Sequence, residues 1–248
     1  MSTNKLSVII ITHRNDDRFQ RALQSASFAD EIIIMAFEGI KPDLKAAPQA
    51  RLLVGGQNVA DFSVARNQAI SEATGDWVLF LDSDEVISPV SVPEIKKVIG
   101  QPGIAGVFVQ RQDIFHGHRL KWGETGSHWL LRMGLKSQMK FTRPVHEVAV
   151  IEGVTIQAPI MIVHYAHPTI SEFFQAISEY SRREAEFRIK NGERFSMIQF
   201  LLYPQSKFLV NYFFKLGFLD GWAGLVYAMM MSFHSAMVRI FWYEKTRT

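Results

Sequence analysis

Two carboxylates one residue apart, Asp82 and Asp84 in Asp82-Ser83-Asp84-Glu85, directly follow the apolar run Val78-Leu79-Phe80-Leu81. At the end of a buried strand such a pair can present oxygen ligands to a hard divalent cation. Mg²⁺ and Mn²⁺ favour those ligands, and Mg²⁺ often sits between carboxylates and substrate phosphates. The competing reading is a turn whose aspartates bond to nearby backbone N–H groups. A second signal is Ser63-Val64-Ala65-Arg66-Asn67-Gln68-Ala69. The Arg66 guanidinium matches a phosphate or carboxylate in fork geometry, or it is a solvated arginine on an amphipathic helix. Thr12-His13-Arg14 ends another apolar run.

The elements that must position these residues alternate in the first half of the chain. Leu6 to Thr12 is a continuous, β-branched apolar run, as a buried parallel strand requires. Asp16 to Ser27 places Phe19, Ala22, Leu23 and Ala26 on one helical face. Ile32 to Phe37 and Arg51 to Val54 read as strands. Asp61 is a candidate N-cap for a helix running to Ala73, which Gly75 stops, and Trp77 to Leu81 is a fourth strand. This β-α-β-β-α-β rhythm predicts an α/β protein with an open, mostly parallel sheet. Ligands of such sheets bind beyond the carboxyl ends of the strands, where Thr12-His13-Arg14 and Asp82 to Glu85 both fall. Further strands are expected at Gly103 to Gln110, His146 to Val150 and Ile160 to Tyr165, with Gly117 to Ser127 as a loop. Beyond Pro168 the pattern turns helical over Ile170 to Lys190 and Arg194 to Tyr203. That places a boundary near residue 168, with domains at 1–168 and 169–248.

The 248 residues are 48% hydrophobic and 21% charged, which suits one large core or a domain with an appendage and excludes a disordered chain. With no cysteine, a thiolate metal site and a catalytic thiol are both excluded. The net charge of +3 is too mild for a dedicated nucleic-acid binder. Met1 to Lys5 is polar and Val8 to Ile11 is too short for a signal h-region, so no export signal is expected.

Taken together, these residues resemble the family 2 glycosyltransferases, whose nucleotide-sugar-binding fold is called GT-A. The resemblance rests on Leu6-Ser7-Val8-Ile9-Ile10-Ile11-Thr12-His13, Ala65-Arg66-Asn67-Gln68-Ala69 and Thr74-Gly75-Asp76 followed by Trp77 to Glu85. More narrowly, the chain is similar to a bacterial branch that includes lipopolysaccharide inner-core glucosyltransferases. The motifs there are Phe28-Ala29-Asp30-Glu31-Ile32, Pro144-Val145-His146-Glu147, His164-Tyr165 and Gly217 to Gly224. The resemblance implies a Rossmann-like GT-A sheet, a UDP-sugar donor and Mg²⁺ or Mn²⁺. It implies that Thr12, His13, Arg14, Arg66 and Ser83 line the nucleotide. Asp82 would lie near ribose or sugar, and Asp84 would bind the metal with Asp82 or His146. The family usually carries an Asp where this chain has Ala36; Glu38 is the candidate substitute.

An inverting transfer needs a general base for the acceptor hydroxyl. Glu147 is the first candidate and Glu124 the second; a salt bridge from Glu147 to Arg143 or Arg132 is the alternative. His146 is a metal ligand, a base or a phosphate donor, or a buried histidine bonded to backbone. Trp122 and Trp129 either stack on a sugar or are plain packing. The acceptor implied is a cell-envelope glycolipid or polysaccharide.

The chain from Phe208 to Tyr243 is rich in aromatic residues and punctuated by Lys215 and Arg239. Such helices favour the headgroup layer of an anionic bilayer, or pack on the catalytic domain or on another subunit of a homo-oligomer. Gly221 to Val238 contains no charged residue but is short for a span. The location expected is the cytoplasm, at the inner face of the inner membrane. Two rivals remain: a nucleotidyltransferase, which should carry a Gly-rich phosphate loop that Thr12-His13-Arg14-Asn15 lacks, and an inactive membrane-associated scaffold, which Ala36 favours.

Overall fold

The computed structural model describes residues 4–37, 39–55, 62–126, 128–142, 148–165 and 169–247. The chain separates into two compact units, Met1–Arg111 with His128–His164 and Gln112–Ser127 with Tyr165–Thr248.

The first unit is built on a sheet. Strand β1 (Leu6–Thr12) pairs in parallel with β2 (Glu31–Ala36) on one side and β4 (Trp77–Asp82) on the other, and β3 (Arg51–Val54) extends β2 in parallel. Every residue of β1 is buried. Because side chains alternate across a strand, β1 feeds two cores at once. Val8 and Ile10 pack with Phe19 and Leu23 of α1 (Asp17–Ser25), while Ile9 and Ile11 pack with Ala65, Ala69 and Ile70 of α2 (Phe62–Glu72). Asp16 caps α1 by accepting from the N–H groups of Arg18 and Phe19 at 3.1 and 3.2 Å. The expected cap of α2, Asp61, lies outside the described residues.

Gly75 marks a close approach. Its N–H donates to Ser7 Oγ at 2.9 Å, and a Cβ there would come within 2.7 Å of the same hydroxyl oxygen. Ser7 Oγ in turn donates to Glu31 at 2.5 Å, so β1, β2 and the entry to β4 are locked together at their amino ends. The carboxyl ends are thereby left for ligands.

Beyond β4 the sheet continues with antiparallel pairings. The short β5 (Glu85–Ile87) pairs antiparallel with β11 (Thr155–His164). Strand β6 (Gly106–Phe115) pairs with β8 (His128–Leu135), and β8 pairs with β4, giving the order β3-β2-β1-β4-β8-β6-β11-β5. Helix α3 (Val92–Ile99) covers this part with Ile95 and Val98. A separate ribbon joins β9 (Met139–Thr142) and β10 (Val148–Ile151). Asn67 of α2 pins it, donating to the Phe141 carbonyl at 2.9 Å and accepting from the Phe141 N–H at 2.8 Å.

The second unit is helical. The stretch read as a loop, Gly117 to Ser127, contains a short strand β7 (His118–Arg119), paired with the end of β6, and a 3₁₀ turn at Gly123–Thr125. Three helices follow: α4 (Ile170–Lys190), α5 (Met197–Leu209) and α6 (Gly221–Arg247), with a π-turn at Val210–Phe214 between the last two. Helix α5 extends past the expected end at Tyr203, through Pro204. The Ser232 hydroxyl of α6 donates to the Pro204 carbonyl at 2.7 Å and ties the two helices at that point. One buried cluster of this unit joins Phe115, Leu120, Phe173, Ile177 and Ala223, and Ala185, Ala228, Val238 and Trp242 are buried as well.

Candidate functional site

The carboxyl ends of β1 and β4 place the two acidic and basic signals of the sequence side by side. Ile11 is in register with Asp82, and Thr12 with Ala36. The chain leaves β1 through a tight turn in which Thr12 Oγ1 donates to the Arg14 carbonyl at 2.8 Å and accepts from the Arg14 N–H at 3.1 Å. This turn sends the Arg14 guanidinium to Asp84, with Nη2 at 3.6 Å from Oδ2. On the other oxygen of Asp84, Oδ1, His164 Nε2 stands at 3.7 Å. Both separations are ion-pair distances, longer than hydrogen bonds.

Asp82 is held differently. Arg132, from the middle of β8, brings Nη2 to 2.5 Å from Asp82 Oδ2 and to 3.1 Å from Glu85 Oε1. Arg66 of α2 donates to Asp82 Oδ1 at 3.2 Å. The Asp82 N–H donates to Glu85 Oε2 at 2.9 Å. Two arginines thus neutralise two carboxylates. Burial favours a protonated Asp82, but the Arg132 and Arg66 guanidinium charges outweigh it and hold the carboxyl well below the usual range. Glu85 is fully buried, and that burial, with the Asp82 charge beside it, pushes its carboxyl up despite Arg132. Arg66 is nearly buried, and its guanidinium lies over Phe80 and Phe141 at 5.4 and 5.0 Å from the ring centres. Those rings fix its direction and reinforce its charge.

The two carboxylates are therefore held in different ways. Both Asp82 oxygens face arginines. Asp84 faces a cation on one oxygen and an imidazole on the other, at distances that leave both oxygens able to accept a ligand. No cluster of three or more His, Asp or Glu that could hold a metal occurs among the described residues. The donor set of Asp84 and His164, one carboxylate and one imidazole, nevertheless fits Mn²⁺ or Mg²⁺, because such ions take their remaining ligands from substrate phosphates and water. Arg14 adds a second fit. Its Nε and Nη1 are buried without a hydrogen-bond partner among the described residues, Nη1 standing 3.8 Å from Asp16 Oδ2, so the guanidinium keeps N–H groups able to bind an anion.

Of the residues expected at the site, Thr12, Arg14, Arg66, Asp82 and Asp84 are brought together on this edge, with Ser83 buried between the carboxylates. His13 follows Thr12 and lies 3.3 Å from Arg14 Nη2 through its own Nε2. Glu38, His146 and Glu147 lie outside the described residues. Glu124 belongs to the second unit. Its carboxylate accepts from Lys207 Nζ at 2.6 Å and Asn211 Nδ2 at 3.2 Å. Burial would raise its pKa, but those two hydrogen bonds and the Lys207 charge lower it. Arg132 and Glu85 carry no role in the sequence reading, and His164 enters it only as part of a motif. The signals were a lone arginine inside the apolar run Trp129 to Met133 and a histidine closing the run Ile160 to Val163.

A stretch of 89 residues is 36% identical to the TPR repeat-containing protein Synpcc7942_0270 of Synechococcus elongatus, covering 36% of this chain and 21% of that one. The chain thus spans about a fifth of that relative. It is 23% identical over 251 residues to the uncharacterized glycosyltransferase RT0209 of Rickettsia typhi, covering 92% of this chain and 83% of that protein. Glucosyl-3-phosphoglycerate synthase from Mycobacterium tuberculosis, crystallised with Mn²⁺, uridine diphosphate and phosphoglyceric acid, is 21% identical with a TM-score of 0.35. That match covers 44% of this chain and 43% of that chain. The model of the glycosyl transferase family 2 matches residues 7–151, more than half of the chain, a range that includes Thr12, Arg14, Arg66, Asp82 and Asp84. The chain belongs to glycosyl transferase family 2.

Proposed function

We propose that this chain transfers a hexose, with inversion, from a UDP-sugar to a hydroxyl of a cell-envelope glycolipid or polysaccharide such as lipopolysaccharide core. The observation that carries the reading is the convergence of Arg14, Asp84 and His164 on one side of the arginine-clamped Asp82. A nucleoside diphosphate needs such a place: cationic groups for its phosphates and a carboxylate–imidazole pair for a divalent ion.

In this reading residues 1–168 bind the donor and residues 169–248 serve the acceptor side, at the cytoplasmic face of the inner membrane. Asp84 and His164 hold Mg²⁺ or Mn²⁺, which when bound offsets negative charge on the diphosphate leaving group. Arg14 and Thr12 orient the phosphates. Asp82, kept ionised by Arg66 and Arg132, accepts hydrogen bonds from ribose or sugar hydroxyls. Glu147 takes the acceptor hydroxyl proton as the oxygen attacks the anomeric carbon. The bond from that carbon to the diphosphate oxygen breaks on the opposite face, its electron pair leaving with the diphosphate, and configuration inverts. Glu124, already bound by Lys207 and Asn211, holds the helical unit together.

Titration of the purified chain with UDP, GDP and CMP, in Mn²⁺ and in EDTA, tests this. One nucleoside diphosphate should bind only with the metal, and Asp84→Ala should abolish that binding. No binding by a folded protein would overturn the transferase reading in favour of an inactive scaffold.

A further inference from the structure

We propose that the helical second unit docks on an anionic phospholipid bilayer through the turn between α5 and α6 and the outer face of α5. This surface lies outside the donor site, and the proposal stands or falls independently of the sugar transferred.

The turn displays apolar side chains where a water-facing turn should be polar. Phe213, Phe214, Lys215 and Leu216 are consecutive and all exposed, Phe214 to 80%, and Phe218 and Leu219 follow them into solvent. The display is built by a satisfied backbone. Lys215 N–H donates to the Val210 carbonyl at 2.8 Å, Leu216 N–H to Phe213 at 3.2 Å, and the Lys215 carbonyl accepts from Gly123 N–H at 2.8 Å. Leu216 is held at φ +58°, a left-handed conformation rare for a large apolar residue. Beneath the turn, Asn211 and Gly217 are buried, and a Cβ on Gly224 would run into the Gly217 carbonyl oxygen. The base of the turn is close-packed and its apolar tip points outward.

Helix α5 continues this surface. None of its thirteen residues is buried. Ile198, Leu201, Leu202 and Leu209 are exposed and recur at helical spacing, which puts them on one face. An apolar stripe normally turns toward a core; this one turns away from its own unit.

Charge selects the occupant. Between Arg194 and Tyr243 the basic residues are Arg194, Lys207, Lys215 and Arg239, and the one acid is Asp220. Asp220 is committed inward, accepting from the Lys121 and Trp122 N–H groups at 2.9–3.1 Å. Lys207 is paired with Glu124 and Arg239 is buried against Ser235, so the outward charge comes from the exposed Arg194 and Lys215. The surface is apolar and aromatic with a cationic edge, which complements anionic headgroups over acyl chains. A second copy would suit it less, since a twofold contact would bring two copies of the same cationic edge together.

Helix α6 does not need to cross the bilayer. Gly217–Arg247 is long and apolar enough by length and composition. Yet α6 buries Ala223, Ala228, Ser235, Val238 and Trp242, and its His234 carbonyl accepts from Ser181 of α4 at 3.3 Å. These contacts join it to its own unit, although only 28% of its apolar stretch is buried, and in the proposal the unit lies on the bilayer surface.

The test is sedimentation of the full chain with vesicles of phosphatidylcholine, with and without a third of phosphatidylglycerol. Binding should be about tenfold tighter or more with the anionic lipid and weaken in high salt. Phe214→Glu combined with Leu219→Glu should lower it about tenfold again, with thermal melting and nucleotide binding unchanged. Phe214→Trp serves if that variant does not fold: the emission it adds to that of the five native tryptophans, read against wild type, should be quenched by brominated lipids. Unquenched emission, or equal partitioning of wild type and the glutamate variant, would overturn the proposal. So would a dimer in solution that Phe214→Glu dissolves, or resistance of the bound protein to alkaline carbonate, which marks a spanning helix.

Discussion

Strand β1 and helix α5 are both apolar, and they put that character to opposite uses. All seven residues of β1 are buried, and each face of the strand meets a helix. None of the thirteen residues of α5 is buried. Charge is reversed in the same way. At the end of β1 and β4 the charged groups are sunk into the protein: Arg66 and Arg132 clamp Asp82 while Glu85 has no exposed surface. In the second unit many large apolar groups face out, those of α5 among them. The lesson is that hydrophobic content alone does not locate a core. The first unit stores electrostatic work in a protected edge, and the second displays apolar surface.

The sharpest way to break this contrast is at the site. Asp84→Ala removes a carboxylate whose partners Arg14 and His164 stand at 3.6 and 3.7 Å, beyond hydrogen-bond distance, so folding should survive. Transfer should fall by about a thousandfold, or roughly 4 kcal/mol in the transition state. Activity assays beside thermal melts check this; retained activity would remove Asp84 from the machinery.

Arg132→Met should act the other way, on stability first. It strips Asp82 and buried Glu85 of a shared guanidinium, and breaking a buried pair from one side costs about 3–5 kcal/mol. Because Asp82 keeps Arg66 and is partly exposed, the lower end, about 3 kcal/mol, is expected. Urea unfolding measures it. A neutral result would mean that water already solvates these carboxylates.

Glu124→Gln probes the polar tie of the second unit. The Glu124 carboxyl is held below its ordinary value because Lys207 and Asn211 outweigh burial. The linked stability is therefore fully present above the unfolded value near ~4.3 and is lost as pH falls through the folded one. The loss at neutral pH should be about 1 kcal/mol, since Lys207 is about a third exposed and the pair is screened. Mutant and wild type should converge in acid. A collapse of turnover with stability intact would instead make Glu124 the general base.

The parallel part of the fold is legible in the sequence for a physical reason. Strands buried on both faces must be continuous apolar runs, and Leu6 to Thr12, Ile32 to Ala36 and Trp77 to Leu81 are such runs. Strand β8 is not one. His128, Arg132 and Gly134 interrupt it, and Arg132, in its middle, is the arginine that clamps Asp82. Helix α3 is hidden by Pro93 and by its eight residues. The acidic half of the site follows from Asp82-Ser83-Asp84 at a strand end. Its basic half requires β8 and β11 to be placed beside β4 and β5, and those antiparallel pairings join residues about 50 to 80 positions apart, which no local periodicity reports.

The smallest expected effect is the most informative about the second unit. Leu201 is 58% exposed on the outer face of α5, beside Leu202. Replacing a buried leucine costs about 2–5 kcal/mol through lost transfer energy and the cavity left behind. Leu201→Ser leaves no cavity, and serine lowers helix propensity by only about half a kcal/mol. If the face is open in solution, the melting temperature should therefore move by no more than a few degrees. A loss of about 2 kcal/mol or more would mean that Leu201 is covered in the soluble protein, and a second copy would be the first candidate to cover it. A near-neutral value leaves an apolar stripe that contributes nothing to the fold of its own unit, as a surface reserved for lipid requires.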